Sequence, residues 1–175
     1  MTDCIPLDIV QKLQEIEPTA SFSGLLPRVI SSSGISYFVK VGSPLEQFQY
    51  TGEAESLKAI EDAAPSLSPH FFMSGILESG LPYFVSEYKE LVSLSLKGAV
   101  ILAKRMATEL HYPKSTTEGF GFSVPTYCGI TKLSNGWFQR WDECYSAMIG
   151  ELLVQLEHKG DFHSLCSKGK IIQDV

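Results

Sequence analysis

Lys40 is the residue best placed to do chemistry, because its charge sits inside an otherwise apolar run, Tyr37-Phe38-Val39-Lys40-Val41. If that run is a strand, alternation puts Tyr37 and Val39 on one face and Phe38 and Lys40 on the other. A lysine sharing a face with a phenylalanine must carry its ammonium out to water or meet a counter-charge. The next helical segment offers one. Glu53, Leu57, Ile60 and Ala64 follow one another at helical intervals on a single stripe, while Glu55, Lys58, Glu61 and Asp62 point mostly elsewhere. A lysine meets phosphates as a point charge, and a carboxylate can fix its ammonium. The chemistry suggested is therefore the holding of a nucleotide's phosphates, although the spacing leaves open two unrelated charges.

A strand lysine paired with a helix glutamate about thirteen residues later is how kinase-like folds hold ATP phosphates. Two further segments fit that plan. Phe84-Val85-Ser86-Glu87-Tyr88 closes a strand where a hinge would present backbone groups to adenine, with Glu87 and Tyr88 at the contact; the simpler reading is a strand end. Thr19-Ala20-Ser21-Phe22-Ser23-Gly24 lies where a phosphate-covering turn belongs, and the N–H groups at Ser21, Ser23 and Gly24 could cradle phosphate, with a single glycine and no G-x-G-x-x-G. His158, His163 and Cys166 have no fourth partner at a metal-binding interval, so no metal site is expected.

The elements that must position these residues are legible as an α+β plan. Pro6 to Ile16 reads as a helix with Pro18 beyond it, and Ser31-Ser32-Ser33-Gly34 as the turn of a hairpin. Thr51 to Ala64 is a helix stopped by Pro65; the runs at Phe71, Gly75 and Leu81 are strands around a Glu78-Ser79-Gly80 turn. Leu94 to Leu110 and Trp137 to His158 are longer helices, Pro113 to Asn135 an ordered loop, and Asp161 to Val175 holds a short helix. Residues 1–90 are expected to form the sheet-bearing lobe and residues 91–175 a partial helical lobe.

Composition excludes other classes. With 175 residues, 14 Lys+Arg against 20 Asp+Glu and a net charge of −6, the chain lacks a nucleic-acid binder's basic footprint. Nothing approaches the length of a membrane span, and Met1 to Cys4 do not open a secretory signal. Cys4, Cys128, Cys144 and Cys166 are widely spaced, so free thiols in the cytoplasm are the expectation.

Taken together, Phe38-Val39-Lys40, Gly52-Glu53-Ala54-Glu55-Ser56-Leu57 and Tyr83 to Tyr88 resemble the fructosamine/ketosamine-3-kinase family, also called protein-ribulosamine 3-kinases. More specific is Phe120-Gly121-Phe122-Ser123-Val124-Pro125-Thr126-Tyr127-Cys128-Gly129-Ile130-Thr131 with Asn135-Gly136-Trp137 and Trp141, which is similar to the family's fungal members; Glu109-Leu110-His111 fits as well. The resemblance implies a protein-kinase-like, aminoglycoside-phosphotransferase-like fold: an N-lobe of antiparallel sheet plus one helix, then the first helices of an incomplete C-lobe. It implies ATP with Mg²⁺, transfer to the 3-hydroxyl of ketosamines on glycated protein amines, and deglycation. By position, Lys40 would hold the phosphates, Glu53 would pair with it, and Glu87 and Tyr88 would form the adenine hinge.

The family's His-Gly-Asp-Leu-Trp-x-x-Asn loop and its later metal-binding Asp have no counterpart. The chain's one asparagine, Asn135, has no Asp four to six residues ahead of it, and Asp161 in Gly160-Asp161-Phe162-His163 is followed by no Asn. Cys144-Tyr145 and Ala147-Met148-Ile149 also stand where the family tends to have Phe-Phe and an Arg. The expectation is a chain truncated before the catalytic loop, without autonomous turnover. The alternatives are a catalytically dead, pseudokinase-like binding module or a gene-model fragment. Leu152, Leu153 and Leu156 would then expose apolar surface and favour association with a partner.

Overall fold

The computed structural model describes residues 5–111 and 119–160. The short helix expected within Asp161–Val175, together with Asp161, His163 and Cys166, lies outside the described residues. The chain divides into two compact units, Met1–Pro113 and Lys114–Val175. Helix Leu96–Arg105 thus falls with the sheet, where the Arg105 guanidinium donates to the Pro65 carbonyl at 2.7 Å, whereas the sequence division lies at residue 90.

The first unit is built on a five-stranded antiparallel sheet in the order β1-β2-β3-β5-β4. Its strands are β1 (Phe22–Leu25), β2 (Arg28–Ser31), β3 (Ser36–Val41), β4 (Phe71–Ile76) and β5 (Pro82–Glu87). The apolar run from Phe22 to Ile30 is two strands rather than one, because a turn at Leu26-Pro27 folds β1 back on β2. Proline has no N–H for a ladder bond, so it belongs in the turn. The Ser31–Gly34 turn joins β2 to β3 as expected, with Gly34 at φ +91°.

Alternation along β3 and β5 assigns each face its helix. Tyr37, Val39, Tyr83 and Val85 pack with Ile9 and Leu13 of α1 (Leu7–Ile16), which are fully buried one helical turn apart. The opposite face carries Phe38, Lys40, Phe84 and Ser86 and meets α2 (Gln47–Ala63), whose Tyr50 and Ala54 cluster on Phe84. Helix α2 starts four residues before the expected Thr51, because Ser43 and Glu46 form a reciprocal capping box on the preceding turn, Pro44–Glu46. Helix α3 (Leu96–Arg105) is capped by Ser95, whose Oγ accepts from the Gly98 N–H at 3.0 Å, and continues as a π-helical turn over Met106–His111.

The second unit departs most from expectation. The stretch read as a loop contains β6 (Phe120–Phe122), β7 (Thr126–Cys128) and β8 (Thr131–Leu133), and β9 (Gly136–Phe138) takes the expected first residues of the last helix. These strands form two nested antiparallel pairs, β6 with β9 and β7 with β8. Three-residue strands rich in glycine and threonine are too short for alternation to announce them. Gly121 is required where it lies, since a Cβ there would run into the Gly136 carbonyl oxygen. Helix α4 (Trp141–His158) packs on these strands through Cys144 and Leu153. Leu153 is therefore buried and Leu152 and Leu156 half-buried; the large apolar residues that α4 exposes are Trp141, Tyr145 and Val154.

One half-buried polar contact makes the α1 face sensitive to pH. The Tyr37 hydroxyl donates to Glu17 Oε1 at 2.6 Å. Burial, and then that carboxylate, push the Tyr37 phenol up. Hydrogen bonds from Ser33 and then Tyr37 hold the Glu17 carboxyl below its usual range. A depressed carboxyl contributes stability that is present above its unfolded value and is lost as pH falls through its folded value. The melting temperature should therefore drop on acidification below the ordinary carboxylate range, about pH 4.3. In a Glu17→Gln variant that part of the drop should disappear, as thermal melts across an acid pH series would record.

Candidate functional site

The site grows out of the α2 face of the sheet. Lys40 on β3 lies across from Phe84 on β5, and its ammonium donates to both carboxylate oxygens of Glu53, at 2.8 and 2.7 Å. The strand carries Lys40 out of the sheet while α2 presents Glu53 one turn beyond Tyr50, so the two charges meet although each sits on a different element. Three rings frame the ammonium: Phe84 at 5.3 Å, Phe38 at 5.4 Å and Tyr50 at 5.9 Å from their centroids. Aromatic faces favour a cation there. Tyr50 comes this close to β3 because residue 42 is glycine; a Cβ would stand 2.5 Å from its hydroxyl oxygen.

A cavity of about 750 Å³ opens beside the pair, lined by Glu53 and Leu57 of α2, Pro27 and Phe38 of the hairpins, and Glu87 and Tyr88 at the end of β5. This is the size of a pocket for a cofactor-sized molecule, with apolar stretches of wall interrupted by the charged Glu53, Glu87 and Lys89. The strand end is held from both sides. The Glu87 N–H donates to the His70 carbonyl at 2.8 Å, and the Tyr88 N–H donates to the Ser36 carbonyl at 3.0 Å. Burial alone would raise the Glu87 carboxyl, but the Lys89 ammonium at 2.6 Å and the His70 N–H at 3.2 Å outweigh it and hold it below the usual range. The Arg28 guanidinium stacks 4.6 Å from the centroid of the Tyr88 ring.

The structure thus brings Lys40, Glu53, Glu87 and Tyr88 to one region of the first unit. The other expected phosphate contacts do not sit in a turn. Ser23 and Gly24 belong to β1, paired with Ile30 and Val29, and Gly24 at φ +112° allows close approach to the Arg28 carbonyl. Ser21 lies at the far end of that hairpin, where its N–H donates to Ser32 Oγ at 3.1 Å. The turn nearest the cavity is Leu26-Pro27 instead.

Arg28, Tyr50 and Gly42 were not singled out from sequence. Tyr50 could have been, since it precedes Glu53 by three residues and Leu57 by seven on the same helix. Arg28 carried no such signal, because its partner Tyr88 is sixty residues away.

Asn135 plays a local part in the second unit. It adopts φ +58°, and its side-chain amide donates to the Val124 carbonyl at 2.8 Å and to Thr126 Oγ1 at 3.0 Å, which holds the nested hairpins together. Among the described residues, no three His, Cys, Asp or Glu side chains converge as metal ligands would. No helix among them is long and apolar enough to cross a membrane.

Comparison with known proteins adds a family frame. The sequence model of the fructosamine kinase family matches residues 23–174. Over 110 residues the chain is 30% identical to a chloroplastic protein-ribulosamine 3-kinase of Arabidopsis thaliana, a match covering 63% of this chain and 33% of that protein. A crystal structure named for a fructosamine-3-kinase of Haemophilus somnus 129PT superposes with a TM-score of 0.75 at 20% identity, covering 95% of this chain and 59% of that one. At that identity the likeness speaks for the fold. The chain spans about a third of the length of the plant relative.

Lys40 and Glu53 side chains remain 31% and 37% exposed, so water screens their attraction. Exposed ion pairs contribute about 0–1 kcal/mol. Lys40→Met, which keeps an apolar stem under the rings, and Glu53→Gln should each lower the melting temperature by less than about 4 °C. Differential scanning calorimetry checks this; a larger loss would make the pair a structural strut.

Proposed function

The chain belongs to the fructosamine kinase family, and from that premise we propose that it binds ATP in the cavity beside Lys40. In this reading it is the nucleotide-holding part of a kinase acting on ketosamines carried by glycated protein amines. The observation that carries the proposal is the two-pronged Lys40–Glu53 pair at the edge of a cavity large enough for a nucleotide. Lys40 neutralises phosphate charge, Glu53 fixes the ammonium so that it need not be reoriented on binding, and Glu87 and Tyr88 border the base. Ser23 and Gly24 act indirectly, by shaping the β1–β2 hairpin whose turn reaches the cavity. The substrate class rests on the name of the plant relative, a protein-ribulosamine 3-kinase. Residence in the cytoplasm rests only on the widely spaced cysteines of the sequence.

Kinases of this kind work with Mg²⁺, which shields the transferring phosphate. The described residues do not fit such an ion: Glu53 is committed to Lys40, and no three His, Cys, Asp or Glu side chains among them converge as a metal would need. Asn135 is engaged in its own hairpins. Among the described residues, then, what supports the reading is the holding of a nucleotide, and the transfer step is tested separately.

Two outcomes follow. Saturating ATP should stabilise the protein, by about 2.7 kcal/mol at a hundred times the dissociation constant, and Lys40→Met should abolish most of the shift. Absence of any shift with the unaltered chain at millimolar ATP would remove the nucleotide reading. The 175-residue chain by itself should transfer no phosphate from radiolabelled ATP to a fructosyl-lysine peptide; clear turnover would show that binding and transfer are not separate.

A further inference from the structure

On the α2 side of the sheet, Arg28 is a cation that no carboxylate answers among the described residues. Val29, its neighbour on β2, is sealed in the α1 cluster, so Arg28 faces the other way, opposite Phe38 of β3. The Val39 N–H donates to the Pro27 carbonyl at 2.7 Å, so the ladder runs on past Arg28 towards Lys40. Arg28 and Lys40 are therefore diagonal neighbours on one face, with Cα atoms about 7–8 Å apart. Like charges so placed repel, and Glu53 answers only Lys40.

The Arg28 guanidinium rests against the Tyr88 ring, which borders the cavity. Its Nε is enclosed without a hydrogen-bond partner; the terminal nitrogens are not enclosed, and they too have none among the described residues. A half-buried charge with no counter-ion is costly, so arginine at this position calls for an anion from outside the chain. The hairpin turn beside it, Leu26-Pro27, offers an anion little else, since proline has no N–H and the turn holds no glycine.

We infer that Arg28 is a second phosphate-binding residue of the nucleotide site, its terminal N–H groups meeting the phosphate next to the ribose while Lys40 meets the phosphates beyond. The inference rests on the nucleotide reading above, in which Glu87 and Tyr88 border the base. A cation stacked on Tyr88 then lies where the phosphate chain leaves the nucleoside, with Lys40 farther along the same face. A guanidinium carries its N–H donors in one plane, which suits the oxygens of a phosphate, and the Tyr88 ring holds that plane while the donor edge stays open. The β1–β2 hairpin thus answers phosphate with a side-chain charge in place of a glycine-rich backbone cradle.

The test is calorimetric titration of the unaltered chain, Arg28→Gln and Arg28→Lys with ATP at several salt concentrations, with AMP and adenosine followed by their displacement of ATP. Arg28→Gln should weaken ATP binding by about tenfold or more, the effect of one hydrogen bond between charged groups. Added salt should weaken the unaltered chain more than Arg28→Gln, because screening acts on a charge that the variant lacks. AMP should bind the unaltered chain more tightly than adenosine does, and that difference should close in Arg28→Gln. Arg28→Lys should recover part of the ATP affinity through its charge. Adenosine should bind all three alike, whereas an arginine that only shapes the pocket would move adenosine and ATP together.

The inference falls if adenosine weakens in the same proportion as ATP, or if Arg28→Gln keeps the ATP affinity or the salt dependence of the unaltered chain. It falls as well if both variants fail to fold, which would make Arg28 a structural residue. In each of these cases the nucleotide reading stands. If the unaltered chain binds no ATP, the nucleotide reading falls first and takes this inference with it.

Discussion

The site depends on strand β3 serving two faces at once. Tyr37 and Val39 are sealed beneath α1, and this fixes the strand's roll so that Lys40 must emerge on the α2 side. The ion pair with Glu53 is a consequence of that roll, since two half-exposed charges cannot themselves enforce it. What places Glu53 is apolar: Tyr50 and Ala54 dock on Phe84, and the missing side chain at Gly42 lets Tyr50 approach. A buried cluster thus sets the distance between a lysine and a glutamate that contribute little to stability themselves. Such a division suits a binding site, whose polar groups must stay available to a ligand.

The far side of the cavity follows the same logic with hydrogen bonds in place of packing. The end of β5 is clamped at Glu87 by His70 and Lys89, and at Tyr88 by Ser36 and the stacked Arg28. Each contact draws on a different element, so the strand end is held by the sheet edge and by the hairpin together. Pro27 reaches the same cavity from the β1–β2 turn. The cavity therefore has walls from at least three separate parts of the first unit, which makes its shape a property of the whole sheet.

The second unit is organised by close approach. Strands β6 and β9 come together where both carry glycine, and Asn135 takes a left-handed conformation that its own side chain secures against Val124 and Thr126. The run from Phe120 to Trp141, distinctive as sequence, is thus a structural signature: glycine, asparagine and threonine are there to nest two short hairpins under α4. Its aromatic residues divide accordingly, with Phe122 and Phe138 half-buried or facing the helix cavity and Trp141 at the surface, edge-on to Phe120 and tilted against Tyr145.

Local pattern alone determined a good deal. Alternation identified the faces of β3, helical spacing put Glu53 at the head of an apolar stripe, and serine and glycine marked the β2–β3 turn. These are short-range properties, because side-chain direction repeats every two residues in a strand and every 3.6 in a helix. The family resemblance was legible for the same reason, as strings of neighbouring residues. Tertiary structure alone decided where Arg28 finds its aromatic partner, that Ser21 lies at the wrong end of its hairpin, and that a glycine-rich loop is two nested strand pairs. Each depends on residues brought together from distant parts of the chain or on a single close approach of backbones. No periodicity within a window records such events, because the information lies in how the sheet is ordered and which helix covers each of its faces.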